Sequence, residues 1–546
     1  MEAISAQRST SANQTQRRVG ALGAALMLAA GTLSACGQGS ESEPTPSNEI
    51  FGYAVDENLQ TTNAGSALGA STKAQLLAAR IYPGPFTQGP KGQWIPNRDL
   101  AQGQLLPGVQ QRATFKINEQ AKYSDGAPVT CESFLLAYTA GVMPTLFHSF
   151  MPLMNEVERV ECQPNARQVD VVFKKGYGPR WRQIFGAGTL LPAHAIAERA
   201  GMTLEELNVA LSNQNWNSLV DVAQAWNEGF ELNEFQSDLQ VSSGPYKIRS
   251  VGDQGEVVLE RNEFYAGEQA AEAELVLWPR DSDWAKLAKD KVLRVADSTS
   301  MKDFSWLDRD DPEQTMDVEQ LEGVMTDTLL LSDSGVFANA ENRRAFAACI
   351  DQASVAKASS EVSGVEVSPV ATRTLRAGDP SAAHVTDISD PHLPANVDLA
   401  KVLGGTRVAI GYAAPDDRKK AMVQAMKRSC ESAGIEIVDA SEEGSGIEDL
   451  RWAGTNGNVM PNLDGTLDAL LLAVDPVEDF GGSAKSKADI EGIRADERAS
   501  WDEVLTVPLA TQPRVIVHDR NVQNVVANSN ASGVGWNMDR WSLAQQ

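Results

Sequence analysis

Apolar positions along this chain switch period again and again. VDVVFKK (169–175), RVAIGY (407–412), IEIVDA (435–440) and LDALLLAV (467–474) carry the short β-rich runs of buried strands. YKIRSVGDQGEVVLERN (246–262) holds two alternating runs about Gly252-Asp253-Gln254-Gly255, the pattern of a hairpin. Between these runs the period lengthens to that of a helix in TLLPAHAIAERAG (189–201), TLEELNVALSN (203–213), NRRAFAACIDQASVA (342–356) and DDRKKAMVQAMKRSCESAG (416–434). Thr203 with Glu206 three residues on is a capping box. Strand, helix and strand over 406–438 predict a βαβ unit, so the chain reads as mixed α/β in two blocks, about 50–275 and from about 328 onward. VLTVPLATQPRVIVHDRNVQNVVAN (504–528) reads as extended, and SPVATRTLRAGDPSAAHVTDISDPHLPANVD (368–398) as loop.

The stretch AKYSDGAPVTCESFLLAY (121–138) predicts a strand, a turn at Ser124-Asp125-Gly126 and a helix capped by Thr130. Asp125 is expected to shape the turn rather than to do chemistry.

At 546 residues, two or three domains are expected. A formal net charge of -26 argues against nucleic acid as a partner, since binding phosphates requires clustered Lys and Arg. At the N-terminus, Arg17-Arg18 precede the apolar run VGALGAALMLAAGTL (19–33), too short to span a bilayer and laid out as a secretory signal. Leu33-Ser34-Ala35-Cys36 resembles a bacterial lipobox. The resemblance implies a signal peptide over 1–35, lipid on Cys36 and a tether over 36–50, holding the protein on the extracytoplasmic face of the cell membrane.

Four further cysteines, an even number in an exported chain, permit two disulfides. Proximity favours Cys131–Cys162 and Cys349–Cys430 among the three possible connectivities. No cysteine has a histidine at zinc-ligand spacing, and no metal or cofactor is expected. In the acidic run Asp308-Arg309-Asp310-Asp311, Pro312 occupies a position that a calcium loop needs for a ligand. GxSxG, HExxH and phosphate-cradling glycine loops are missing, so no catalytic residue is nominated.

Several phrases in fixed order carry a resemblance. ATFKINEQAKYSDGAPVTCESFLLAY (113–138), SSGPYKIRSVGDQGEVVLERNEFYAG (242–267), ENRRAFAACIDQASVA (341–356), GYAAPDDRKKAMVQAMKRSCESAGIEI (411–437) and VPLATQPRVIV (507–517) resemble the signature regions of family 5 extracellular solute-binding proteins. These are the peptide-, dipeptide- and nickel-binding components of ABC importers. PGPFTQGPKGQWIPNRDLA (83–101) and GVGWNMDRW (533–541) are similar to its actinobacterial branch.

The resemblance implies a type II, cluster C periplasmic-binding-protein-like fold, in which two α/β lobes joined by crossing hinge strands close over a ligand. Lobe one would be 51–278 with 508–546 and lobe two 279–507, with LVLWP (275–279) and the strand near 507–518 as hinge candidates. It implies a monomer that binds an oligopeptide by backbone pairing with a strand edge and hands it to an ABC permease. Asp475, just after the strand in LDALLLAVDPVED, is nominated as partner of the peptide ammonium; before Pro476 it is equally placed to start a turn. Tyr82 and Trp94 are nominated as cleft aromatics. Where many peptide binders have Gly-Trp, this chain has Leu471-Leu472. Some actinobacterial lipoproteins of this fold do not serve transport. An envelope regulator of lipomannan and lipoarabinomannan synthesis is therefore the alternative.

Overall fold

In the computed structural model, which describes residues 50–546 apart from 309, 311–313, 443–444, 455–461, 478–488 and 545–546, strand β1 (Gly52–Val55) buries all four of its residues. Cys36, the signal and nearly all of the tether lie outside the described residues, as does part of the acidic run at 308–312. After β1, β2 (Phe86–Gln88) and β3 (Trp94–Pro96) form a hairpin. Strands β4 (Ala101–Leu106), β5 (Arg112–Ile117), β6 (Val157–Glu161) and β7 (Gln168–Phe173) make a separate antiparallel sheet in the order β4-β5-β7-β6. Its inner face closes over the helix Glu132–Val142, ten of whose eleven residues are buried.

The remaining long strands join β1 in one mixed sheet: β8 (Tyr246–Val251), β9 (Val257–Arg261), β10 (Glu274–Trp278), β11 (Leu293–Ser298), β12 (Met316–Leu331), β13 (Arg407–Gly411), β14 (Glu436–Asp439), β15 (Ala469–Val474) and β16 (Thr506–Asp519). Their order is β14-β13-β15-β12-β16-β11-β1-β10-β9-β8. β8 and β9 are the expected hairpin, and β13, the helix Asp417–Glu431 and β14 are the expected parallel βαβ unit.

Two large apolar cores pack against this sheet. One gathers Phe51, Tyr53, Phe115, Phe134, Trp226 and Trp541; the other gathers Leu329, Phe346, Val408, Met426, Leu471 and Leu509. Passage between them falls to β12 and β16. Val507 and Leu509 of β16 lie in the second core and Ile516 in the first. The two strands pair along most of their length, with register shifts between Glu322 and Thr326 and between Asp327 and Thr328. Of the hinge candidates, the strand near 507–518 is therefore one crossing element. The other is β12, since Leu275 and Leu277 of LVLWP stay within the first core, between β1 and β9.

Each core carries one disulfide, Cys131–Cys162 and Cys349–Cys430, the pairing that proximity favours. The helix after the Asp125 turn starts one residue later than predicted, with Cys131 and not Thr130 at its cap and no side-chain capping bond. Glu132 instead turns inward, fully buried, and accepts from the Asn165 backbone N–H at 2.7 Å and from Asn208 Nδ2 at 2.9 Å. Asp125 behaves as a turn residue: Oδ1 accepts from the Ala127 N–H at 2.9 Å, and Oδ2 lies 2.8 Å from His194 Nε2.

Candidate functional site

Strand β15 is apolar at every position, and all six residues are buried. One edge is covered along its whole length by β12, from Val474 opposite Thr326 to Ala469 opposite Leu331. Its other edge meets β13 only at Ala469 and Leu470. Among the described residues no strand pairs with the second edge of Leu471–Val474.

Leu472, Ala473 and Val474 border a cavity of about 120 Å³ that lies between the two cores. Its opposite wall comes from the helix Ala67–Ser71 through Gly69 and Ala70, and from Phe150, Met151, Met154 and Ile184. Lys73 is the one charged residue in the lining, and it is paired with Glu57. Pockets for small ligands usually span roughly 300–1,000 Å³, so the cleft is nearly shut in this conformation.

Contacts reaching from one side to the other account for the closure. Arg180, only 7% exposed, pairs with Glu156 on its own side and donates from Nη1 to the Val477 carbonyl at 2.7 Å on the other. Burial pushes the Glu156 carboxyl up from its ordinary range, and the Arg180 charge opposes that rise. From the opposite side, Arg376 donates from Nη1 to the Gln88 amide oxygen at 2.9 Å once that amide is oriented to suit its neighbours. Lower in the cleft, the Ile447 N–H donates to Ser71 Oγ at 2.9 Å, and Arg280 bridges Asp56 Oδ1 at 2.7 Å and the Pro415 carbonyl at 2.8 Å. Buried Glu57 stands beside Lys73, Arg280 and Lys419; burial alone would raise its pKa, but these three cations hold it below the ordinary value.

Asp475 lies at the end of β15 and is 2% exposed. Arg376 Nε donates to its two oxygens at 3.0 and 2.9 Å, Nη2 also contacts Oδ2, and the Val477 N–H donates to Oδ1 at 3.0 Å. The carboxylate thus starts the turn through Pro476 and carries an ion pair with a cation of its own chain. The loop presenting Arg376 is held firmly. Arg373 is buried, donates to Thr506 Oγ1 at 2.6 Å and stacks 5.0 Å from the Trp501 ring. Burial pulls the Arg373 guanidinium down to about 9, with Glu497 opposing. Glu497, fully buried, accepts the backbone N–H groups of Arg373 and Thr374 at 3.0 and 3.1 Å.

The nominated aromatics lie elsewhere. Tyr82 is wholly buried in the first core, edge-on to Phe230 at 6.0 Å, so no ligand reaches it. Trp94, half-buried in β3, lines a separate open groove of about 890 Å³ together with Phe86 and Trp181. The sequence did not point to Arg180, Gln88 or Arg376. The TRTLR segment, two arginines among apolar and hydroxyl residues, was the only local signal, and its partner Asp475 is 99 residues away.

The family model for bacterial extracellular solute-binding proteins, family 5 Middle, matches residues 109–445. The chain belongs to that family. An uncharacterized lipoprotein of Mycobacterium tuberculosis is 28% identical over 560 residues, covering 96% of this chain and 97% of its own length. A lipoprotein of Mycobacterium leprae is 27% identical over 571 residues, covering 95% and 97%. Among solved structures, the oligopeptide-binding protein AppA of Bacillus subtilis, in complex with a nonapeptide, matches with a TM-score of 0.66 at 12% identity, over 92% of this chain and all of its own. The oligopeptide-binding protein of Thermus thermophilus, complexed with a pentapeptide, gives 0.64 at 12% identity, over 91% and 97%. The fold is accordingly the two-lobed binding-protein architecture of this family, with β12 and β16 as the crossing strands.

Proposed function

We propose that this chain is a lipid-anchored substrate-binding protein that captures an extended peptide between its lobes and presents it to an ABC permease. The observation carrying this reading is the edge of Leu471–Val474 that borders the cleft and that no strand among the described residues covers. A peptide laid there gains main-chain hydrogen bonds at each alternate residue. Family membership and the peptide-bound neighbours support it. One lobe is built around each core and the chain passes between them in β12 and β16, in a monomer held at the extracytoplasmic face by lipid on Cys36, in keeping with relatives that are named lipoproteins. Ligand contacts to both lobes favour the closed form, and only that differential affinity shifts the population. The chain acts as a binder and not as an enzyme.

A second reading is favoured by one specific finding. The carboxylate nominated for a ligand's ammonium is already paired with Arg376, and the cavity is small. That arrangement suits an envelope lipoprotein of the same fold that has given up transport and regulates lipomannan and lipoarabinomannan synthesis. Calorimetric titration with peptide pools separates the two. Saturable binding, weakened at least tenfold when Ala70→Trp fills the cleft, supports capture; no saturable binding to any pool leaves the regulatory reading.

A further inference from the structure

Two of the polar side chains lining the cavity beside β15 are engaged within the fold: Lys73 is paired with Glu57, and Thr189 Oγ1 donates to the Gly186 carbonyl at 2.8 Å. Gln183 is not. Its Oε1 is shut away from solvent and has no hydrogen-bond partner among the described residues. Of the side-chain atoms in that condition, it is the one that belongs to this lining. The backbone N–H of Gln183 donates to the Arg180 carbonyl at 2.8 Å, and Arg180 is the residue that reaches the Val477 carbonyl across the cleft. The turn that sends Arg180 across thus also carries Gln183, on the wall opposite Leu472, Ala473 and Val474.

A polar atom withdrawn from water without a partner is costly, and native folds keep few of them. A cleft shut on nothing bears that cost; a cleft shut on a guest that supplies the missing bond does not. Gln183 therefore favours closure with a guest over closure without one, which is the differential affinity that shifts a population. Whichever way it is turned, a side-chain amide offers one donor and one acceptor, the complement of a peptide group. An extended chain pairing with the edge of Leu471–Val474 points alternate N–H and C=O groups at that edge and the intervening ones away from it. The groups pointing away need partners from the facing wall. Met151, Met154 and Met325 in the lining adapt to apolar side chains of varied shape, so little else in this wall reads the guest's sequence.

On these grounds we infer that Gln183 is the specificity-determining residue of this cleft: its amide pairs with a main-chain peptide group of an extended apolar peptide, and the site selects an intact backbone amide rather than a particular side chain. The inference rests on the peptide-capture reading above.

The test uses a pentapeptide pool built from Ala, Val and Leu, and further copies of that pool in each of which one backbone amide is replaced by an ester, which removes the N–H and weakens the carbonyl as an acceptor with little change of shape. Binding is measured by equilibrium dialysis to the mature chain and to Gln183→Met and Gln183→Leu, each first checked for a cooperative thermal transition. At one ester position the wild type is expected to lose about fivefold in affinity. In at least one folded variant that loss is expected to shrink to about twofold or less, while the losses at the other positions stay as they were. Ester losses that are the same in wild type and folded variants at every position would overturn the role of Gln183, although peptide capture stands. If the unmodified pool does not bind the wild type, the capture reading itself fails, and this inference with it.

Discussion

Among single residues, Glu57 shows how a charge beside the cleft can be structural. Its buried carboxylate neutralises Lys73 and stands against Arg280 and Lys419, which come from different parts of the chain. Removing one member of such a buried cluster leaves the others uncompensated. Glu57→Gln is therefore expected to destabilise the protein by roughly 3 kcal/mol at pH 7. The folded-state pKa is depressed, so the stabilisation is present above the ordinary value of 4.5 and is lost as pH falls below it. The gap between variant and wild type should consequently shrink between pH 7 and pH 3.5 in urea unfolding; a gap independent of pH would show that the charge is not what matters. Asp475 makes the same point from the sequence side. Its position before Pro476 announced a turn, and the turn is there. The cation that occupies it was invisible, because pairing over 99 residues leaves no local trace.

At the level of elements, the crossing of β12 and β16 is where local pattern was least informative. MDVEQLEGVMTDTLLL is largely exposed in its first half and buried in its second, where Thr326, Asp327 and Thr328 interrupt the apolar run, because the strand leaves a half-exposed position and enters a core. No single period describes it. Gly323 sits at the first register shift, where an added Cβ would lie 2.5 Å from the Gln512 carbonyl oxygen. That close backbone approach requires glycine. Gly323→Val should force the two strands apart at a cost of about 1–3 kcal/mol, read as a lowered urea midpoint. An unchanged midpoint would mean that the crossing yields without strain. By contrast, the β8–β9 hairpin, the capping box at Thr203 and Glu206 and the βαβ unit around β13 were all legible, since each is decided by residues near one another in sequence.

Taken as a whole, the molecule is closed by its own side chains. Arg180 reaches across to Val477, and Arg376 reaches back to Gln88. Arg180→Ala alone would leave Glu156 buried without its cation, so the informative variant is Arg180→Ala with Glu156→Ala, which removes the bridge and the orphaned charge together. A compact chain of this length has a radius of gyration of roughly 24 Å. The double variant is expected to rise above the wild-type value in small-angle scattering, since a bridge that holds the closed form is gone. Equal radii would assign closure to the other cross-cleft contacts, Ser71 to Ile447 and Arg280 to Pro415.

By itself the sequence determined the α/β character, because periodicity and capping act over short distances; proximity favoured the two disulfide pairings that form without excluding the others, and the strand bordering the cleft was nominated by the family resemblance. Only the tertiary structure decided which strands cross, that Tyr82 belongs to a core and Trp94 to another groove, and that Asp475 already has a partner. Those outcomes depend on charges and surfaces brought together from distant parts of the chain, whose mutual desolvation no local pattern records.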